Sequence, residues 1–220
     1  MNNKSEIEQK IAEFLLQIKA IKLQPNNPFT WASGWVSPIY CDNRITLSHP
    51  SIRTYIRQKL AFLIQEEYGS VSIIAGVATA GIPQGVLVAQ ELGVPFIYVR
   101  SSPKDHGTGS LIEGEFSPGQ RVVVVEDLIS TGKSSLKAVE ALRNAGLEVA
   151  GLVAIFNYGF DAADQNFKNS KCRYSTLSNY NSLIEYAAKH SFILEEDLVL
   201  LRKWRENPAQ WNNKNVIVAD

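Results

Sequence analysis

The strongest constraint on the fold is an alternation of apolar runs and helical patterns that begins near residue 71. Apolar runs at 71–75, 96–99, 121–126 and 149–156 predict strands, and helical spacing at 82–92 and 133–145 predicts the helices between them. The run at 121–126 is almost continuously valine, as expected of a strand covered on both faces. This alternation predicts βαβ units, and therefore an α/β fold with a parallel sheet and helices on both faces.

The segments on either side of this core have other patterns. Ser5 with Glu8 predicts a capping box that starts a helix, and 50–67 predicts a second helix. Between them, 26–40 is rich in proline, glycine and aromatic residues, which favours a hairpin or flap. A short strand is predicted at 172–175, with helices at 178–189 and 195–206. We expect one domain over 1–220, with an N-terminal helix and flap lobe (1–68), a parallel α/β core (69–176) and C-terminal helices (177–220).

Composition excludes several functional classes. The 22 Lys and Arg residues balance 22 Asp and Glu residues, whereas proteins of bulk nucleic acid or anionic membranes normally carry a cationic excess. Only Cys41 and Cys172 occur, which argues against a disulfide scaffold or paired metal ligands. The N-terminus lacks a signal-peptide pattern, and the uncharged run at 68–90 is interrupted by glycine, proline and polar residues. We expect a soluble cytoplasmic protein that binds neither nucleic acid nor membrane and holds any anion locally.

The most informative segment is VVVVEDLISTGKS at 122–134, because ligands of doubly wound sheets bind beyond the carboxyl ends of the strands. Ser130, Thr131 and Gly132 open a helix, where backbone N–H groups suit a phosphate monoester. The adjacent carboxylates Glu126 and Asp127 would repel that phosphate but can accept hydrogen bonds from ribose hydroxyls. The segment indicates a phosphoribose site; the alternative is an ordinary strand-to-helix turn that Asp127 caps.

Other phosphate loops fail on spacing. A Walker A loop needs a glycine five positions before Gly132, and this chain has Asp127 there. The loop 76–81 has the right glycine spacing, but Ile82 follows it where a Walker A loop has lysine. A dinucleotide fingerprint that starts at Gly107 fails at Ile112.

Two further loops are expected at the same sheet edge. The loop at 100–113 carries Arg100, Lys104 and His106 with two close glycines, and predicts a lid over a polyanion such as pyrophosphate. The alternative is a solvated connection. The loop at 76–81 has small residues that let backbone approach a ligand.

Together these segments resemble a known family. The segment 122–134 is similar to the phosphoribosyl-pyrophosphate (PRPP) motif of type I phosphoribosyltransferases. The lid with Arg100 and Lys104-Asp105-His106-Gly107, with FTWASG at 29–34 and SPIYCDNR at 37–44, resembles the orotate phosphoribosyltransferases in particular. The resemblance extends from about residue 14 to residue 211, with the motifs in the family's order.

The resemblance implies a type I phosphoribosyltransferase core with an N-terminal helix and β-flap lobe. It implies transfer of ribose 5-phosphate from PRPP to orotate, giving orotidine 5′-monophosphate and pyrophosphate with Mg²⁺, in de novo pyrimidine (UMP) biosynthesis. Arg100 and Lys104 would stabilise charge on pyrophosphate and His106 would be a positioned donor, with the lid reaching the other subunit's site in a homodimer. The implied PRPP residues are Arg100, Lys104, His106, Glu126, Asp127, Leu128, Ile129, Ser130, Thr131, Gly132, Lys133 and Ser134. The implied orotate residues are Ser130, Phe29, Ser33 and Gly34; no residue is assigned as a metal ligand.

The chain departs from the family pattern in its cations. Many members have a flap lysine at the position of Ala32 or Val36, and the lid usually has a second lysine at the position of Ser101 or Ser102. Some members have lysine in place of Ala80. Some also have an Asp-Arg pair near orotate, where this chain has Asn157-Tyr158. Two alternatives stay open: a phosphoribosyltransferase for another nucleobase, and a non-catalytic PRPP-sensing regulator. The regulator would need a basic nucleic-acid lobe, and the N-terminal lobe is not basic.

Overall fold

A computed structural model describes residues 2–31, 34–102 and 111–211, and its N-terminal lobe combines helices with short antiparallel strands. These elements are α1 (Asn2–Gln17), β1 (Ile21–Leu23), β2 (Phe29–Thr30), β3 (Val36–Ser37), β4 (Ile39–Cys41), a 3-10 helix (Asn43–Ser48) and α2 (Pro50–Tyr68). Strand β1 pairs with β4, and β2 pairs with β3. The β2–β3 pair is the hairpin expected within 26–40.

The core is a sheet of six strands within the described residues, in the order β10-β9-β8-β5-β6-β7. Its strands are β5 (Ile73–Val77), β6 (Phe96–Val99), β7 (Ile112–Glu113), β8 (Arg121–Ile129), β9 (Glu148–Asn157) and β10 (Tyr174–Asn179). The helices that follow α2 are α3 (Gly81–Leu92), α4 (Lys133–Asn144), α5 (Asp161–Asn169), α6 (Tyr180–Lys189) and α7 (Asp197–Glu206). All neighbouring strands pair in parallel except β6 and β7, which form an antiparallel edge.

The valines of β8 explain why this strand is central. Side chains alternate between the two faces of a strand. Accordingly, Val123 and Val125 join the cluster built with α1, α2 and α3, whereas Val122 and Val124 join the cluster built with α4 and α5. All four side chains are fully buried, which confirms the expectation of a strand covered on both faces.

Some boundaries differ from the sequence expectation. The capping box at Ser5 was wrong, because α1 already begins at Asn2. Strand β8 continues to Ile129, so Glu126 and Asp127 lie within the strand and do not leave it. Helix α5 was not predicted, although Ala163 and Phe167 recur at helical spacing and are both buried.

None of the helices in the described part of the chain is long and apolar enough to cross a bilayer.

Candidate active site

Loops that follow neighbouring strands meet at one edge of the sheet. The loop 78–80 follows β5, the loop 130–132 follows β8, and the chain after β9 starts at Tyr158. Backbone hydrogen bonds join them to adjacent strands: the N–H of Ala78 donates to the carbonyl of Val99 (2.8 Å), and that of Tyr158 to the carbonyl of Ile129 (3.1 Å). This edge is where an α/β sheet binds its ligands.

The acid pair of β8 is packed into this edge. Glu126 is 6% exposed, and its Oε2 atom accepts a hydrogen bond from the Ser135 hydroxyl (3.3 Å) in the first turn of α4. Its Oε1 atom accepts the backbone N–H of Asp127 (3.1 Å). Glu126 is therefore held against α4, while Asp127 is half-buried.

Burial changes the protonation of both acids. Burial raises the pKa of Glu126 well above its ordinary value, and the neighbouring charge of Asp127 adds to this rise. Burial also raises the pKa of Asp127, but a hydrogen bond to Glu126 and the positive charge of Arg44 oppose the rise. Glu126 is thus the member that retains a proton more readily, and Asp127 is the member that stays an acceptor.

The loop 130–132 is fixed from behind by α5. Gly132 has φ of +74°, and a Cβ atom there would lie only 2.5 Å from Cε2 of Phe167. Asn166 donates from Nδ2 to the carbonyl of Thr131 (2.9 Å). Helix α4 then begins at Lys133, and Gly132 provides no side-chain cap, so amides of the first turn are available to an anion. Lys133 and Ser134 are exposed there.

Leu128 and Ile129 precede this loop and still belong to β8. The side chain of Ile129 is fully buried. This residue of the predicted PRPP segment can therefore contact a ligand only through its backbone atoms.

The glycines of the loop after β5 are packed against the protein itself. A Cβ atom on Gly81 would lie 2.5 Å from the carbonyl oxygen of Val125, and one on Gly76 would lie 2.9 Å from the carbonyl oxygen of Gly81. Their small size therefore serves the approach of α3 to β5 and β8. Packing alone accounts for both glycines, and the approach of this loop to a ligand stays a prediction.

Arg100 follows β6 at the base of the predicted lid. Its backbone N–H donates to the carbonyl of Leu111 (2.8 Å), and its Nη1 atom lies 3.3 Å from Oε1 of Glu113 on β7. Arg100 also lines a cavity of about 520 Å³ with Ala78, Lys133 and Ser134. The base of the predicted lid and the start of α4 thus face one cavity, whereas Lys104 and His106 lie outside the described residues.

The flap contacts the sheet edge through its aromatic residues. Trp31 donates from Nε1 to the carbonyl of Ile39 (3.1 Å) and packs against Tyr158, with ring centroids 5.2 Å apart. Phe29 packs against Tyr40, with ring centroids 5.7 Å apart, and Gly34 turns the hairpin with φ of +85°. The flap is therefore held next to the end of β9, while Ser33 lies outside the described residues.

Comparison with known proteins identifies the family. The family model described as "Phosphoribosyl transferase domain" matches residues 46–190. A curated orotate phosphoribosyltransferase of Bacteroides thetaiotaomicron is 59% identical over 206 residues, which is 94% of this chain and 97% of the relative. The chain belongs to the orotate phosphoribosyltransferases.

Solved structures of this family have the same fold. The orotate phosphoribosyltransferase from Aeropyrum pernix matches with a TM-score of 0.72 at 30% identity, over 83% of this chain and 99% of that one. That from Mycobacterium tuberculosis H37Rv, in complex with PRPP, matches with a TM-score of 0.64 at 25% identity, over 80% and 98% of the two chains. The type I phosphoribosyltransferase fold expected from the sequence is confirmed.

The predicted residues of this orotate phosphoribosyltransferase are partly brought together. The segment from Glu126 to Ser134 forms the end of β8, its loop and the start of α4, and Arg100 faces the same cavity as Ser134. Phe29 and Gly34 lie on the flap, and the described contacts of Phe29 join it to Tyr40 and not to the acid pair. The roles of all these residues stay predictions.

The sequence analysis gave no role to the residues that support the site, although Asn43 and Arg44 lie in the segment 37–44 that carries the resemblance. Asn43 donates from Nδ2 to the carbonyl of Asp127 (2.8 Å), and the charge of Arg44 opposes the rise that burial causes in the pKa of Asp127. Asn166 and Phe167 support the loop from α5. The spacing of Phe167 was a signal for α5, but no local pattern joins Asn43 to a residue 84 positions away.

Proposed function

We propose that this protein transfers ribose 5-phosphate from PRPP to N1 of orotate, giving orotidine 5′-monophosphate and pyrophosphate in UMP biosynthesis. The observation that carries the proposal is the buried acid pair with its phosphate loop at the sheet edge, in a chain 59% identical to a curated orotate phosphoribosyltransferase. In this proposal residues 1–220 form one domain, with an N-terminal lobe (1–68), a parallel α/β core (69–176) and C-terminal helices (177–220). The protein acts in the cytoplasm.

The ribose 5-phosphate half of PRPP binds at β8 and α4. Its 5-phosphate lies against the amides and hydroxyls of the loop Ser130–Ser134, where a helix N-terminus favours an anion. The ribose hydroxyls donate to the carboxyl groups of Glu126 and Asp127. The depth of Glu126 and its contact with Ser135 support this division, because a fixed acid presents its acceptors without reorganisation.

Mg²⁺ enters with PRPP. It usually keeps several waters and is bound through one or two carboxylates together with substrate phosphates, so PRPP would supply most of its ligands at this site. When bound, the ion supplies positive charge to the pyrophosphate as it leaves.

The lid and flap complete the site. Breaking the bond to pyrophosphate builds positive charge on the ribose and negative charge on the leaving group, so fixed cations at pyrophosphate lower the barrier. Arg100 and Lys104 supply that charge and His106 is a positioned donor, while Ser130, Phe29, Ser33 and Gly34 surround orotate. The lid reaches the neighbouring subunit of a homodimer, and its closure excludes water that would capture the ribosyl cation.

The proposal is tested by incubating the protein with PRPP, Mg²⁺ and orotate. We expect the orotate absorbance to fall and pyrophosphate to accumulate in equal amounts, with neither change when PRPP is omitted. Competition with uracil, hypoxanthine and adenine separates orotate from other bases. Folded protein that binds PRPP but converts none of these bases would contradict the proposal and favour a PRPP-sensing regulator.

A further inference from the structure

The main chain of Asp127 extends past its neighbouring strand. The pairing of β5 with β8 ends at Gly76 opposite Val125, but β8 continues to Ile129. On its other side β8 remains paired with β9 as far as Ile129 and Asn157. The backbone of β8 beyond Val125 therefore needs other hydrogen-bond partners on the β5 side.

Asn43 supplies such a partner. It is the first residue of the 3-10 helix, its side chain is fully buried, and Nδ2 donates to the carbonyl of Asp127 at 2.8 Å. This hydrogen bond joins the N-terminal lobe to the strand end that carries both acids. It takes the place of a bond that a longer β5 would have made.

Neighbouring side chains bind the amide group and the main chain of Asn43 separately. Its Oδ1 atom faces the Cys41 thiol (Sγ to Oδ1, 3.4 Å), which turns Nδ2 toward Asp127. The Thr46 hydroxyl donates to the Asn43 carbonyl (2.6 Å) and accepts from Nε2 of Gln84 on α3 (3.2 Å). Asn43 and Thr46 are fully buried and Gln84 is 1% exposed, so this part of the chain of hydrogen bonds is shielded from water.

The same turn also affects the charge of Asp127. Asp42 holds the Arg44 guanidinium through two contacts, Nε to Oδ1 (2.6 Å) and Nη2 to Oδ2 (2.9 Å). The charge of Arg44 favours the ionised form of Asp127 against the effect of burial. The 3-10 turn therefore acts on both the backbone and the carboxylate of one residue.

We propose that Asn43 is a positioning residue for Asp127, which sets the angle at which the acid pair meets the ribose of PRPP. The inference rests on the proposed function, because it assigns the acid pair to the ribose hydroxyls. Without the Nδ2 donor, the Asp127 carbonyl lacks this buried partner and the end of β8 shifts to find another. A displacement of about 1 Å at a reacting group can cost on the order of 100-fold in rate.

The test compares Asn43→Ala with Thr46→Val, which removes hydrogen bonds of the same turn without touching Asp127. We expect Asn43→Ala to lower kcat/KM for PRPP by about 10- to 100-fold, and Thr46→Val to lower it by less than about threefold. Binding separates positioning from general damage: ribose 5-phosphate should bind at least about tenfold more weakly to Asn43→Ala, with the affinity for inorganic phosphate unchanged. Asn43→Ser serves if Asn43→Ala does not fold.

A double-mutant cycle shows whether Asn43 acts through Asp127. In an Asp127→Ala background, Asn43→Ala should cause a clearly smaller loss of ribose 5-phosphate affinity than in the wild-type background, because only the contribution of Glu126 is left to lose. Equal losses for Asn43→Ala and Thr46→Val at matched stability, or an undiminished effect of Asn43→Ala in the Asp127→Ala background, would overturn the inference. The binding measurements need no turnover, so they decide the role of Asn43 even if wild-type protein converts no orotate; that result would instead reject the proposed function.

Discussion

Two strand-to-helix turns at the same sheet edge look alike in sequence and differ in what their glycines do. The turn from β5 to α3 contains Gly81, and the turn from β8 to α4 contains Gly132. A Cβ atom on either glycine would lie 2.5 Å from another atom, but that atom is a backbone oxygen of Val125 in the first case and the Phe167 ring in the second. Only Gly132 also has a positive φ.

The difference indicates separate tasks for the two turns. Gly81 lets α3 approach the strand that carries the acids, so it supports the site indirectly. Gly132, with its positive φ, bends the backbone into the N-terminus of α4, which an anion can approach. Helix α3 also begins without a side-chain cap, so the conformation of the glycine is what separates the two turns. A small-residue loop before a helix therefore marks close packing in one turn and a candidate phosphate site in the other.

The largest effect should follow Gly132→Ala. A left-handed alanine costs about 1–2 kcal/mol and overpacking against Phe167 about 1–3 kcal/mol, so we expect the free energy of unfolding to fall by about 2–5 kcal/mol. Urea denaturation measures this loss, and inorganic phosphate affinity should fall with it. Gly119→Ala is the control, because Gly119 has φ of +83° and nothing within 4 Å of its Cβ position. A loss no larger than that of the control would remove Phe167 from the explanation.

A smaller effect is expected for Gly81→Ala, because its backbone carries no positive-φ penalty. The free energy of unfolding should fall by about 1–3 kcal/mol, since the Val125 carbonyl cannot move without disturbing β8. Gly85→Ala in the same helix is the matched control, since its Cβ would meet the Phe96 side chain at 2.6 Å, and a ring can move more easily than backbone. If phosphate affinity fell more in Gly81→Ala than in Gly132→Ala, the division of tasks between the turns would be wrong.

The sequence predicted the turn from β8 to α4 better than it predicted the distant residues that hold this turn in place. The valine run, the acid pair and the loop are adjacent in sequence, so local pattern was enough to place them on one strand and one helix. Asn43 and Asn166 lie 84 and 35 positions from the backbone groups they bind, and such distances are decided by tertiary packing. The sequence analysis ended β8 at Glu126 because acidic residues are uncommon inside strands. In the structure, contacts with α4 and with the 3-10 helix accommodate Glu126 and Asp127, and the strand continues to Ile129.

Asn166→Ala tests whether α5 supports only the second turn. Removing Nδ2 leaves the Thr131 carbonyl without this donor, which should cost about 0.5–1.5 kcal/mol of unfolding free energy in a half-buried loop. The KM for PRPP should rise by severalfold, measured by steady-state kinetics. Asn169→Ala, one turn along α5, should change neither quantity; equal effects of both variants would show that α5 matters only as a whole.

The last effect is electrostatic, and of the two strands that lead into these turns only β8 carries a buried acid, Glu126. The pKa of Glu126 is raised in the folded protein, so the folded state binds its proton more tightly than the unfolded chain does. The contribution of Glu126 to stability is therefore complete below the ordinary carboxyl pKa and is lost as pH rises through the raised value. Glu126→Gln removes that loss, and we expect it to stabilise the free protein by on the order of 1 kcal/mol at neutral pH.

The pH profile distinguishes this cause from a change in packing. Thermal unfolding of wild type and Glu126→Gln should differ most at neutral pH and converge toward pH 4.5, the ordinary value for this side chain. Activity should move in the opposite direction, because the variant loses a proposed ribose acceptor. A stability difference that stays constant with pH would mean that Glu126 is ionised at little cost, and the buried acid pair would then no longer distinguish the two turns.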